Sequence, residues 1–330
     1  MAKILVTGGA GFIGFALSKH LAENKDNKVT LCDNFARSKE DEDLKQLLEK
    51  DNVSFIKCDL TNPSELSKLD TDYNQVYHLA AINGTKNFYK IPVQVLKANA
   101  LSSFNILDWF ITTKCNKILL TSSCENYAGT MTQFGIPIPT PENVPLCIED
   151  VFNPRWSYAG SKILSELLFI NYARQYNFDM SIVRYHNIYG SRMGYDHVMP
   201  EFILRILNKE TPFKIIGGSE TRAFCHISDG VKATRMVMES RNTNFRVIHI
   251  GNSQEETTML DMAKKLFKVA GVNPVLEISP APQGSVQRRC PDTTLLYQLT
   301  GFKPQVSLEE GLKEIYNWYM QDFEKSNKVI

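Results

Sequence analysis

The chain has 330 residues, more than one ordinary core accommodates, so two lobes around a cleft are expected. Its 43% hydrophobic and 22% charged residues suit a folded globular protein, and a formal net charge of +1 without a long basic run excludes an electrostatic footprint for nucleic acid or an anionic membrane. Seven cysteines with no CxxC pair and six scattered histidines carry neither a disulfide framework nor a metal-ligand spacing, no apolar run is long enough for a bilayer span, and the first strand begins too early for a secretory segment. Reduced thiols, no metal and a cytoplasmic setting are therefore expected.

Taken in chain order, β-branched runs predict strands over 3–7, 28–33, 53–57, 75–79, 116–122 and 179–185. Segments of helical period lie between them at 12–24, 39–50, 92–112 and 156–176. Such strict alternation predicts an α/β fold with a Rossmann-type doubly wound parallel sheet. From about 187 the alternation weakens and punctuation by Gly217-Gly218, Pro274, Pro280 and Pro304 indicates a smaller mixed α/β C-terminal lobe. A helical segment at 228–239 followed by Val247–Ile250 reads as one more helix-strand unit. The expected division is a dinucleotide-binding domain over 1–187, rejoined by about 225–250, and a ligand lobe over 188–330.

Between the first strand and the first helix stands Thr7-Gly8-Gly9-Ala10-Gly11-Phe12-Ile13-Gly14. Gly8 permits the tight turn, Gly11 lets the backbone approach a pyrophosphate, Gly14 lets helix pack on strand, and Phe12 and Ile13 form the helix start that faces the negative charge. The second strand ends at Asp33-Asn34, about 20 residues on, where a carboxylate accepts both ribose hydroxyls of an adenosine. Asp33 also repels a 2′-phosphate, which favours NAD over NADP, with Arg37 nearby as the one counter-signal. Asp59 and Leu60 follow the third strand, where Asp59 is either an adenine contact or a solvated turn acid. Leu79, Ala80 and Ala81 close the fourth strand with small residues where the pyrophosphate passes.

The fifth strand ends in Thr121-Ser122-Ser123, at the carboxyl edge where Rossmann proteins bind substrates. Tyr158 and Lys162 stand at i and i+4 on one face of an amphipathic helix, and an ammonium beside a phenol lowers the phenol from about 10 toward working pH. A hydroxyl, a phenol and an amine at one cleft form a set for removing an alcohol proton as hydride leaves.

With TGGAGFIG, HLAA, SSCENY, YAGSK, RYHNIYG, TRAF and RRCPD in order, essentially the whole chain resembles the extended short-chain dehydrogenase/reductase family of NAD-dependent sugar-nucleotide epimerases, dehydratases and decarboxylases. The resemblance implies that Ser123 binds the sugar 4-hydroxyl, with Tyr158 as base and Lys162 as its electrostatic support and cofactor ribose contact. It further implies Asn99 in a proton relay beside the cofactor, Asn187 at the nucleotide diphosphate, and Arg222 and Arg289 at the diphosphate or sugar, with Ser122 beside Ser123. Glu125 falls in the glutamate position of the TSEVY motif of UDP-glucuronate decarboxylases, where it orients the ring or handles the carbon 5 proton. Cys124 replaces the aspartate of dTDP-glucose-type dehydratases, and Arg289-Cys290-Pro291-Asp292 is similar to the decarboxylase RxPD segment. The expected activity is therefore UDP-glucuronate decarboxylation to UDP-xylose, with a nucleotide-sugar 4,6-dehydratase or 4-epimerase as the alternative enzymes and a catalytically silent NAD-binding scaffold as the alternative of another class. Helices 92–112 and 156–176 resemble the family's dimer-forming pair, so a homodimer is expected. Asn126 in place of an apolar residue, His186 before the NxYG motif, and a proline-rich segment from Ala128 to Pro154, either surface excursion or substrate lid, depart from the family pattern.

Overall fold

The computed structural model describes residues 2–281 and 286–327. Its first half runs β1 (Lys3–Thr7), α1 (Phe12–Leu21), β2 (Lys28–Asp33), α2 (Glu42–Leu48), β3 (Val53–Lys57), β4 (Gln75–His78), α3 (Thr85–Lys90), α4 (Pro92–Phe110), β5 (Lys117–Ser123), α5 (Ala128–Phe134), α6 (Trp156–Tyr176) and β6 (Asp179–Tyr185). The second half runs β7 (Ile188–Tyr189), α7 (Val198–Leu207), β8 (Phe213–Ile216), β9 (Thr221–Ala223), β10 (Cys225–His226), α8 (Ile227–Glu239), β11 (Arg246–Ile250), β12 (Glu256–Thr258), α9 (Met259–Ala270), β13 (Leu276–Ser279), β14 (Arg288–Arg289), α10 (Thr294–Thr300) and α11 (Leu308–Asn327).

Seven strands form one parallel sheet in the order β3-β2-β1-β4-β5-β6-β11. Helices cover both faces, which is why Ile4-Leu5-Val6 and Ile118-Leu119-Leu120 are continuous apolar runs with every side chain buried. The chain reverses direction across the sheet at β1 and β4, and the crevice this leaves at the carboxyl ends is where such folds bind ligands. β11 pairs with β6 from Arg246 opposite Ser181 to Ile250 opposite Tyr185, with α8 packed on α1, so this later helix-strand unit extends the sheet. Helix ends are shorter than the apolar period alone implies. Asp41 starts α2 by accepting the Leu44 N–H at 2.9 Å, two residues inside the expected 39–50, and α1 ends at Leu21 rather than 24.

The remaining elements build a smaller lobe. β7 pairs with β10, β9 lies between β12 and β14, and β8 pairs with β13. Their core gathers Phe202, Ile203, Phe213, Phe267, Leu312 and Tyr319 from α7, β8, α9 and α11. The segment from Ala128 to Pro154 begins with α5, a helix not expected from the sequence, and then runs as a tethered strap. Thr140 exchanges backbone hydrogen bonds with Cys290 and Asp292 at 2.9 and 2.8 Å, the Glu142 carboxylate accepts the His249 N–H at 2.9 Å, and Thr130 Oγ1 donates to the Pro145 carbonyl at 2.7 Å.

Candidate active site

The turn from β1 into α1 is built for a close approach of main chains. Gly8 sits at φ +68°, and a Cβ there would lie 2.8 Å from the Ala80 nitrogen; a Cβ on Gly14 would lie 2.0 Å from the Gly8 carbonyl oxygen. The ends of β1 and β4 are thus held in contact, with Leu79 N–H and Ala80 N–H both directed at Thr7 Oγ1 at 3.2 and 3.3 Å. Ala81 continues that edge, while Phe12 and Ile13 open α1 above it. Asp33 stands at the end of β2, accepting from Ala10 N–H at 3.1 Å through one oxygen and from Phe35 N–H and Ser38 Oγ at 2.8 and 2.9 Å through the other. It ties the glycine turn to the β2 loop and leaves a lone pair of Oδ2 for a ribose hydroxyl. Asn34 caps the same loop, Asp59 accepts from Thr61 through Oδ1, and the Leu60 carbonyl is held by Asn105 at 2.7 Å. A narrow all-backbone cradle at a helix start, with a carboxylate beyond it, fits NAD: the glycines and the α1 N-terminus for the pyrophosphate, Asp33 for the adenosine ribose.

Across the crevice, β5 delivers Ser123 and α6 delivers Tyr158 and Lys162. Phe88 from α3 stacks on the Tyr158 ring with centroids 4.9 Å apart and planes 11° apart, inside an apolar cluster with Ile82, Ile91 and Val95. Burial accordingly pushes the Tyr158 phenol up, the Ser123 hydroxyl and Arg37 pull it down, and Glu125 and Cys124 push it further up. The i, i+4 spacing alone implies a lowering of the phenol by Lys162, but burial has the larger influence on it. Lys162 Nζ instead donates to the Thr121 carbonyl at 2.9 Å, and burial, opposed by Glu166, brings that ammonium down to about 8.

Beyond Ser123 a short 3-10 turn, Cys124–Tyr127, carries Glu125 into a cluster of arginines. Arg289 Nη1 donates to Glu125 Oε1 at 2.6 Å and Arg155 Nη2 lies 3.4 Å from Oε2. Burial is the largest influence on the Glu125 carboxyl and raises it, but the two guanidiniums prevail and hold it at about 2. Arg222 completes the cluster: burial and the neighbouring Arg289 lower it to about 10, while Glu125 and Glu220 work the other way. Arg289 Nε is buried and finds no acceptor among the described residues. Burial keeps the Cys124 thiol above its ordinary range, hence neutral.

Two expected residues point elsewhere. Ser122 is turned away from the cleft because neighbours on a strand face opposite sides; its hydroxyl donates to Glu166 Oε1 at 2.6 Å and accepts from Asn126 at 3.0 Å. Asn99 is buried, with its amide bonded to both backbone groups of Ile82 and to Ser161 Oγ, so it braces the loop after β4 against α6. Asn187, at φ +42°, donates to the Ala223 carbonyl at 3.1 Å and joins the end of β6 to β9, one residue from Arg222. Arg155 and Phe88 escaped the sequence reading. Arg155 lies only three residues before Tyr158, which was the available signal, whereas nothing local marks Phe88. Among the described residues no group of three or more His, Cys, Asp or Glu is placed to hold a metal ion, and no helix is long and apolar enough to cross a membrane.

Fold and cleft together define a Rossmann-type NAD-binding protein. The chain belongs to the NAD dependent epimerase/dehydratase family, whose model matches residues 4–251. Among curated relatives it is 32% identical to a UDP-N-acetyl-alpha-D-glucosaminuronate decarboxylase of Bacillus cytotoxicus, over 97% of this chain and 98% of that one. It is 34% identical to UDP-glucuronic acid decarboxylase 5 of Arabidopsis thaliana, over 94% of this chain and 87% of that one. Among solved structures it is similar to the UDP-glucuronic acid 4-epimerase of Bacillus cereus, crystallised with UDP-glucuronic acid and NAD, at a TM-score of 0.84 and 26% identity over 97% and 99% of the two chains.

Proposed function

We propose that the chain is an NAD-dependent decarboxylase of a UDP-linked uronic acid, with UDP-glucuronate as substrate and UDP-xylose as product. The observation that carries this reading is the cluster of Arg155, Arg222 and Arg289 converging on Glu125. A neutral hexose has no use for three guanidiniums at its sugar end, whereas a sugar carboxylate next to a diphosphate does. The relatives named above act, by their names, on nucleotide sugars that carry a carboxylate.

NAD, when bound, supplies a reversible hydride acceptor over the sugar. Ser123 holds the carbon 4 oxygen, Tyr158 takes the hydroxyl proton, and Lys162 keeps a positive charge close by. The resulting 4-keto uronate is a β-keto acid, and its carboxylate leaves as carbon dioxide with the electron pair passing into the enolate; carbon 5 is then protonated, carbon 4 regains its hydride and Tyr158 returns its proton to the carbon 4 oxygen, which gives UDP-xylose. Elimination of water would instead require an acid at carbon 6. Cys124 is a thiol that burial makes a still weaker acid, and Glu125 is an ionised carboxylate with no proton to give, so neither suits that task. Held at about 2, Glu125 is also a poor base, and its role is to orient Arg289 and the ring. Residues 1–187 with 225–250 hold the cofactor in this reading, and the remainder holds the nucleotide sugar through Asn187, Arg222 and Arg289.

A homodimer is supported by exposed apolar side chains on the paired helices α4 and α6: Val93, Leu96, Phe104, Leu164 and Leu167. A reducing cytoplasmic setting suits seven free thiols. The deciding experiment incubates the NAD-loaded protein with UDP-glucuronate, UDP-N-acetylglucosaminuronate, UDP-glucose and GDP-mannose and follows products by mass spectrometry. Loss of carbon dioxide from a uronate is expected; loss of water from a hexose, or an isomer of unchanged mass, refutes the reading.

A further inference from the structure

Behind the cleft lies a polar bracket that the proposed chemistry does not use. Glu166 is on α6 at i+8 from Tyr158 and i+4 from Lys162, so all three share one face of the helix. Its Oε1 accepts from Ser122 Oγ at 2.6 Å, Asn126 Nδ2 at 2.7 Å and Arg184 Nε at 2.9 Å, and its Oε2 accepts from Arg184 Nη2 at 2.7 Å. Glu166 and Arg184 are only 4% and 5% exposed at their side chains, so the pair is sealed from solvent. Arg184 also donates through Nη1 to the Glu142 carbonyl at 3.0 Å, which anchors the strap from Ala128 to Pro154.

Ser122 and Asn126 flank Ser123-Cys124-Glu125 on either side, and both end on the same oxygen atom. The turn that carries Ser123 and Glu125 is therefore clamped at its two ends to a point two helical turns from Tyr158. An apolar side chain at 126 would leave only the Ser122 end attached. The Asn126 amide oxygen is buried without a partner among the described residues, a standing cost that its donor side must offset.

We propose that Asn126 is a positioning residue that, together with Ser122 and the Glu166–Arg184 pair, sets where Ser123 and Glu125 stand relative to Tyr158 and Lys162. This rests on the reading of Ser123, Tyr158 and Lys162 as the oxidation site. A displacement of about 1 Å in such a constellation lowers the rate about 100-fold, and a turn released at either end is free to make that displacement.

The test compares Asn126→Val, Ser122→Ala and the double variant with the parent in the NAD-loaded protein, using UDP-glucuronate. Thermal melting, NAD affinity, KM and kcat for carbon dioxide release, and the transient absorbance of reduced nicotinamide are recorded. Each single variant is expected to lower kcat and the transient about 10-fold to 100-fold, with KM and NAD affinity near those of the parent. Because both arms clamp one turn, the double variant is expected to lose little more than the worse single one. Parent-like kcat per folded molecule in both single variants, with only melting affected, overturns the proposal. So does a double variant whose losses simply multiply. If the parent itself forms no reduced nicotinamide with any uronate, it is the functional reading that fails. Should Asn126→Val not fold, Ser122→Ala alone decides, since it removes the other arm without adding bulk.

Discussion

Replacing Arg289 by methionine keeps an unbranched aliphatic stem and removes the guanidinium, and the structure says where the effect must appear. Arg289 gives one donor to Glu125 at 2.6 Å and keeps a buried Nε without an acceptor among the described residues. A hydrogen bond to a charged partner contributes about 1.5–3 kcal/mol, so losing the contact to a sugar carboxylate should weaken that ligand by about 10-fold to 150-fold. Glu125, still ionised beside Arg155, then faces the incoming carboxylate with one guanidinium fewer between them, which places the expected loss at the upper end of that range. UDP-glucose has no carboxylate and should weaken by no more than about 3-fold, within ordinary mutational scatter. Calorimetric titration of both ligands into parent and Arg289→Met proteins, loaded with NAD, measures the difference directly. Equal weakening of the two ligands, or none of either, refutes the assignment of the arginine cluster to a sugar carboxylate.

Tyr158→Phe should remove the acceptor of the hydroxyl proton and reduce nicotinamide reduction by about 10²–10⁴-fold, with UDP-glucuronate binding retained; parent-like turnover contradicts the oxidation step. Gly14→Ala places a Cβ 2.0 Å from the Gly8 carbonyl oxygen, so the glycine turn must shift, and NAD affinity and melting temperature should both fall by an amount equivalent to about 1–3 kcal/mol. Lys162 is protonated below about 8, so activity that depends on its charge is full below that value and is lost as pH rises through it; a kcat/KM profile that stays flat well into the alkaline range contradicts the role. Leu167→Arg on the exposed face of α6 should turn a dimer into monomers by light scattering, and a monomeric parent protein refutes the dimer.

The sheet was legible because strands covered on both faces, such as β1 and β5, carry continuous apolar runs, and six β-branched runs separated by helical period leave one architecture. The glycine turn and Asp33 were legible for a similar reason: their spacing is fixed by backbone geometry rather than by tertiary packing. Ser122 shows where residue type misleads. Two adjacent serines at a strand end look equivalent on paper, but strand alternation allows only one into the cleft, and the other met Glu166. Glu166 and Arg184 were not legible at all, since a helix glutamate and a strand arginine 18 positions apart become partners only once β6 lies beside β5 under α6. The helix α5 escaped because Ala128–Phe134 is too short and too polar to show a period, and the strap beyond it owes its path to backbone bonds of Thr140 with Cys290 and Asp292 that no sequence pattern announces.

The protonation state of Tyr158 and Lys162 depends on more than their spacing, for a physical reason that bears on the proposed mechanism. Putting Tyr158 and Lys162 on one face does not make them interact when another acceptor is nearer, and the Thr121 carbonyl is nearer to the ammonium. Stacking under Phe88 then raises the phenol, while burial lowers the lysine to about 8. In the polypeptide alone, therefore, both groups carry their protons at neutral pH. A phenol in that state serves as a base only if something in the filled cleft makes the phenolate cheaper, so the activating shift belongs to the loaded enzyme and not to the folded chain. In the proposed mechanism, the buried environment of the phenol ties proton removal to the moment when sugar hydroxyl, Ser123 and cofactor are all in place.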